Sequence, residues 1–308
     1  MARHLSGCVA FLAVALAAGS GRASSPAVSQ PPAPGAAAPA PASNPPAERP
    51  APPPAIREFD LVTLARLGRE LYLQDQLAWH ATDALVAAIG MDTLAAGSPR
   101  GWVVDVSGPR PLVRFLRATA TGVEAAYDVR FPATGKPVVE TASDRRLTPG
   151  QMRRQQAVGA ARQALVDGQY PMWRGSGTYN TVVLDDPAGR GFLVYFLRPK
   201  PSTAEIPVGG HYRITVSADG RTVRQVDRLF VSFLTVPKSA PTGSDMAAAV
   251  VTSLVSDKPL ETHVFLSLQD KVPFYVGTRD GTFWKISEGE ISVLKERGPG
   301  ADSPGHAR

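Results

Sequence analysis

Cysteine is almost absent: of 308 residues one is a cysteine, Cys8, and it opens the apolar run Cys8-Val9-Ala10-Phe11-Leu12-Ala13-Val14-Ala15-Leu16-Ala17-Ala18. Everything after that run is thiol-free. This excludes thiol catalysis, disulfide staples and Cys-based zinc or iron–sulfur sites there. Stability must then come from burial of apolar surface. Long apolar runs are also lacking. The stretch from Cys8 to Ala18 is too short for a bilayer core of about 30 Å, which takes roughly 20 helical residues. No five like charges follow one another, so nothing resembles a nucleic-acid-binding arm. Missing too are a G-x-S-x-G elbow, a phosphate loop, G-x-G-x-x-G and H-E-x-x-H. Gly175-Ser176-Gly177 follows Arg174 with no strand before it and reads as a flexible turn.

What is present begins with an address. Arg3 and His4 precede the apolar run, and Gly21 and Ala23 supply small residues after it, so residues 1–23 are expected to be a secretory signal peptide. Leu5-Ser6-Gly7-Cys8 is not a lipoprotein box, because there the Cys follows the apolar run. Residues 24–56 are dominated by Pro and Ala, too poor in large apolar side chains to offset the entropy of ordering, and are expected to be a disordered linker. In the polyproline II form it extends on the order of 90 Å. The formal net charge is +6. Without Arg3 and Arg22 it is +4, 31 basic against 27 acidic side chains, mixed along the chain as on a solvated surface.

Residues 57–147 are expected to form a helix plus a β-meander. Asp60 is placed to cap a helix with a stripe of Leu61, Leu64, Gly68, Leu71, Ala78, Leu85 and Ile89, and Gly90 to end it. Asp75 and Thr82 interrupt the stripe and allow a break. Strands are predicted over 102–106, 112–117 and 123–131 from alternating apolar residues. Residues 148–240 start a second helix-led unit, with Thr148 as cap, Pro149 at the first turn and Gly168 at the end. Its strands are 180–184, 191–197, 211–217 and 221–231, with Asp219-Gly220 in a hairpin turn. In 241–296 the runs 250–255, 262–268, 272–278 and 282–286 all read as strands, and 297–308 as a disordered tail. The predicted class is α+β: two helix-led antiparallel β units followed by a C-terminal antiparallel β block.

Phe192, Val194 and Phe196 alternate with Leu193, Tyr195 and Leu197, so this strand is apolar on both faces and needs cover on both. A helix is expected on one face and another sheet, unit or subunit on the other. Residues 229–236 carry a similar pattern.

The run Tyr212-Arg213-Ile214-Thr215-Val216-Ser217-Ala218-Asp219-Gly220-Arg221-Thr222-Val223 reaches a Gly turn and resumes as a strand. With the helix before it, residues 148–231 resemble PepSY-type domains of the cystatin-like class, although Asp219 stands where such domains often place threonine. The resemblance implies an extracytoplasmic, non-catalytic binding or protease-inhibitory module and brings no catalytic residues with it.

His211 and Arg213 share the polar side of a predicted strand after Gly209-Gly210 and form a candidate clamp for an anionic ligand. His263 is the third candidate binding residue, read on a strand with Phe265. His80 and Asp83, three apart on the first helix, supply two ligands and no complete metal site. No cofactor is implied. The expected function is a secreted or periplasmic, non-enzymatic binding or accessory protein whose partner is an envelope protein or cell-wall component. The alternatives are an envelope hydrolase in which His211, His263 and an acid meet in one pocket, and a structural protein self-associating through its two-sided strands.

Overall fold

The computed structural model describes residues 55–175, 177–238 and 246–295. The expected signal peptide, nearly all of the linker and the tail at 297–308 lie outside these residues. No described helix is long and apolar enough to cross a membrane. The class is α+β.

Helix α1 (Leu61–Ile89) starts at Asp60, whose carboxylate accepts from the Thr63 amide at 2.8 Å and the Thr63 hydroxyl at 2.7 Å. It ends at Gly90, where φ is +81°. The polar residues in its stripe do not break it, because Thr82 donates back to the Ala78 carbonyl at 2.8 Å and Asp75 meets two amides of other elements. Short helix α2 (Met91–Ala96) leads into a meander of β1 (Pro99–Asp105), β2 (Leu112–Thr119), β3 (Gly122–Arg130) and β4 (Val138–Thr141), paired in that order. Leu77, Ala81 and Leu85 of α1 pack on Val113, Phe115 and Val129 of this first sheet.

Helix α3 (Pro149–Asp167) opens with a reciprocal cap in which Thr148 and Gln151 each bond the other's backbone amide. The second sheet contains β5 (Asn180–Asp185), β6 (Gly191–Leu197), β8 (Tyr212–Ser217) and β9 (Val223–Arg228). The short strands β7 (Glu205–Ile206) and β10 (Val236–Pro237) pair separately. Both faces of β6 are indeed buried. Phe192, Val194 and Phe196 meet Ala157, Ala161 and Leu165 of α3, while Leu193, Tyr195 and Leu197 belong to the largest core with Leu67 and Leu71 of α1. The second cover is therefore helical and comes from the same chain.

The C-terminal block needs correction. It runs β11 (Ala249–Ser253), α4 (Glu261–Asp270), β12 (Phe274–Thr278), β13 (Phe283–Ser287) and β14 (Glu290–Lys295). Residues 262–268 are helical, and β11 and β12 are parallel, so the block is not all antiparallel. Almost every side chain from Glu261 to Ser267 is buried, and a short run buried on all sides has no period that separates helix from strand. Parallel neighbours need a crossover, which α4 supplies. Residues 229–236 also depart from expectation. Up to residue 235 the segment bends instead of forming a strand, only Val236 entering β10, and the Arg198 guanidinium binds the carbonyls of Gly209, Phe233 and Leu234 and the Thr235 hydroxyl.

One device occurs twice. Arg114 on β2 faces Asp128 on β3, and Arg213 on β8 faces Asp227 on β9; each pair is 14 residues apart and lies in direct register. Arg114 also binds the carbonyl of Arg146, just before α3, and Arg213 that of Arg57, just before α1. Each sheet's arginine thus holds the backbone leading into the helix of the other block.

Helices α1 and α4 cross at Gly68, where an added methyl would collide with Val264 and the Glu261 carbonyl. Gly68→Ala is expected to destabilise the fold by about 1–3 kcal/mol. A fall of several degrees in the calorimetric midpoint, with unchanged far-UV dichroism, would bear this out.

Candidate functional site

The three candidate residues are all in the interior. His211 accepts the Arg198 amide on Nδ1 at 3.0 Å, and its Nε2 lies 2.5 Å from the Pro207 carbonyl, which sets the Nε2–H tautomer. His263 sits in the first turn of α4 and accepts the Leu260 amide on Nδ1 at 3.0 Å. Burial pushes the imidazole of His211 down to about 4 and that of His263 to about 3. Both rings are neutral at physiological pH and are engaged with backbone, not with one another or with a carboxylate.

Arg213 is fully buried, at 0% exposure. Its Nε donates to Asp227 at 2.9 Å, one Nη to Glu261 at 2.7 Å and the other to the Arg57 carbonyl. The anions it clamps are the chain's own. Tyr195 donates to the same Glu261 oxygen at 3.0 Å, and burial holds the Tyr195 hydroxyl protonated well above its usual range. The Arg57 amide donates to Asp227 and its guanidinium grips Asp186 at 2.7 and 3.1 Å. Both guanidinium groups lie over Phe59, at 4.7 and 4.8 Å from the ring centre. The network joins the approach to α1, three strand segments and α4 with no route for a soluble anion to Arg213.

A second interior group surrounds Asp75, which accepts from Asn180 at 3.3 Å and Gln269 at 3.2 Å. Burial raises this carboxyl to about 6. Nearby, Asp270 takes Lys200 at 2.5 Å and Lys238 at 2.6 Å. His80 is exposed and stacks on Trp79 with centroids 4.9 Å apart. Among the described residues no three of His, Cys, Asp and Glu gather as a metal-binding group.

The open site lies elsewhere, on the first sheet. Register places Asp105, Leu112, Arg130 and Val138 side by side across β1, β2, β3 and β4. The adjoining row of Val104, Val113, Val129 and Val139 faces the core with α1, so the first row faces away from it. That row lies in a cleft of about 460 Å³, whose walls include Arg110, Pro109, Pro111, Pro132 and Glu140. Asp105 is committed locally: it accepts the Ser107 hydroxyl at 2.6 Å and the Ser107 amide at 3.0 Å, which holds its carboxyl below the usual range. Arg130, 53% exposed, has its carboxylate neighbours Glu140 and Asp128 at 3.5 and 3.8 Å. Arg110 has no ion pair or hydrogen bond among the described residues. Residue types alone did not single out this cleft. Pro109-Arg110-Pro111 marks a stiff loop, but only strand register brings it beside Arg130 and Val138.

Compared with known protein families, curated proteins and solved structures, the chain matched none.

Two outcomes follow from the interior chemistry. The folded-state pKa of His211 and His263 lies below the unfolded value near 6.5, so their contribution is complete above that pH and is lost as pH falls toward 4. The Asp75 carboxyl has the opposite sign: raised when folded, it favours the fold in acid and costs about 3 kcal/mol once pH exceeds about 6. In urea melts followed by tryptophan fluorescence, Asp75→Asn should raise stability at pH 7.5 and steepen its loss below pH 6. His211→Asn should lower stability at pH 7.5 and flatten that loss. Separately, Arg213→Lys, which cannot reach three acceptors in one plane, should cost about 3–5 kcal/mol in the same melts.

Proposed function

We propose that this chain is a non-enzymatic binding or accessory protein that acts outside the cytoplasm, in the periplasm or as a secreted protein, with its folded body on a Pro/Ala-rich stalk. The observation that carries the reading is the distribution of polar chemistry. The groups suited to acid–base or anion-binding work, His211, His263, Arg213, Glu261 and Tyr195, are buried and bonded within the chain, whereas the open cleft is lined by prolines, aliphatics, two arginines, Ser107 and the carboxylates Asp105 and Glu140, each of which faces a partner of its own. Binding needs such a surface and no activated nucleophile. The helix followed by antiparallel strands over residues 148–231 supports the PepSY-like part of the reading. The envelope partner follows from the predicted leader.

The alternative of an envelope hydrolase draws no support from the positions of His211 and His263. Self-association through β6 loses its motive, since α1 and α3 cover both faces within one chain.

The test expresses the full chain in a two-membrane bacterial host, with a photo-crosslinking amino acid at Val138, Val62 or Val250 in turn. The reading expects a mature form starting near residue 24 in the osmotic-shock fraction and a discrete crosslinked adduct from at least one position. Uncleaved chain in the cytosol, or steady turnover of an ester, peptide or glycoside substrate by the purified protein that one surface substitution abolishes, would overturn it.

A further inference from the structure

We infer that the cleft on the first sheet is a peptide-binding groove for a short extended segment carrying a carboxylate beside aliphatic residues; this rests on the binding-protein reading above and names its ligand class. Four observations converge on it. The first is dimension. The floor, Asp105, Leu112, Arg130 and Val138, crosses all four strands, about 14 Å between outer strand axes, the reach of roughly four extended residues. A cleft of about 460 Å³ is within the range that encloses a ligand of that size.

The second observation is charge. Arg110 has no partner among the described residues, and Arg130 holds its two carboxylates, Glu140 and Asp128, only in long ion pairs of 3.5 and 3.8 Å. Asp105 is already bonded to Ser107, and Arg114 and Asp128, in the next row on the same face, pair with one another at 2.8 Å. A ligand carboxylate therefore finds two guanidinium groups able to donate, one of them, Arg110, without a partner among the described residues, beside the two lining carboxylates Asp105 and Glu140. A basic ligand finds Asp105, bonded to Ser107, and Glu140, facing Arg130, and no carboxylate of the lining without a partner.

The third is stiffness. Pro109, Pro111 and Pro132 present rigid apolar rings, and the Phe131 amide bonds the Pro111 carbonyl at 3.2 Å, tying the two loops together. Ordering such walls around a ligand costs little entropy. The fourth is the edge of β4, which has no partner strand on its outer side among the described residues. The Ala142 amide bonds the Ala126 carbonyl at 3.0 Å. By the alternation of antiparallel ladders, Val139 and Thr141 turn their amides and carbonyls outward. A peptide leaving the groove past Val138, which is 47% exposed, meets these groups and can continue by strand addition.

The experiment measures fluorescence anisotropy of labelled, C-terminally amidated Val-Asp-Leu-Glu with the purified protein lacking residues 1–23. Its Asn/Gln amide isostere and a Val-Lys-Leu-Lys control are run in parallel, at low and high salt. The acidic peptide should bind saturably in the micromolar to millimolar range, with affinity falling at high salt. The isostere, and the acidic peptide with Arg110→Glu or Arg130→Glu, should bind about tenfold more weakly. Arg110→Glu alters an exposed side chain with no partner among the described residues and should melt like the parent. Amide shifts in NMR spectra on titration should centre on residues 105–112, 130–132 and 138–142. Absence of saturable binding at millimolar peptide, equal binding of the lysine control, or an affinity unmoved by either charge reversal overturns the groove. If a crosslinked adduct still forms in the envelope from Val62 or Val250, the binding-protein reading survives that result; if none forms from any position, both fall.

Discussion

A guanidinium without access to water is the most demanding group in this structure, and Arg213 is such a group. Its charge is tolerable only when every donor edge meets an acceptor, since each unpaired buried charge costs several kcal/mol. The acceptors come from β9, from the first turn of α4 and from the backbone just before α1. One side chain on β8 thereby fixes where three otherwise separate segments must lie. Glu261 shows the limits of the solution: one oxygen serves both Arg213 and Tyr195, and the other is buried without a partner. Such a network tolerates few alternatives, which makes it a device for specifying one arrangement of the blocks.

Much of the fold is written in local signals that act within a few residues. Asp60, Thr148, Pro149, Gly168 and the Asp219-Gly220 turn work through bonds to their own neighbours, so their roles are readable from spacing. The alternation of β6 correctly demanded cover on both faces. What the residues alone did not reveal depends on distant partners. Helix α4 is buried on nearly every side because α1 and the C-terminal sheet enclose it, and that enclosure erased the period by which a helix is recognised. Strands β4 and β14 are short or partly exposed at sheet edges and carry weak patterns. His211 and Arg213 resembled a ligand clamp because strand alternation placed them on a polar side. It cannot reveal that Asp227, Glu261 and the Arg57 carbonyl already fill that side.

The paired arginines explain why the helix-led blocks form one compact unit. Arg114 reaches forward to the chain before α3, and Arg213 reaches back to the chain before α1. Helix α1 follows the same logic, packing its first half with the second sheet and its second half with the first. The polar face of the first sheet is thus divided. The row through Arg114 and Asp128 is taken up by the approach to α3, and the row through Leu112 and Arg130 is left to solvent. The cleft exists where internal pairing stops.

The anchorage of Arg57 has a mechanical consequence. Tension applied to the chain at Ala55 does not unwind α1 turn by turn, because Arg57 is tied through its amide, its carbonyl and its guanidinium to β9, β8 and the loop after β5. The load passes directly into two adjacent strands of the second sheet, β8 and β9, which hold Arg57 through a facing pair of side chains. The fold is gripped from within, at the point where a pull on its N-terminal side would arrive.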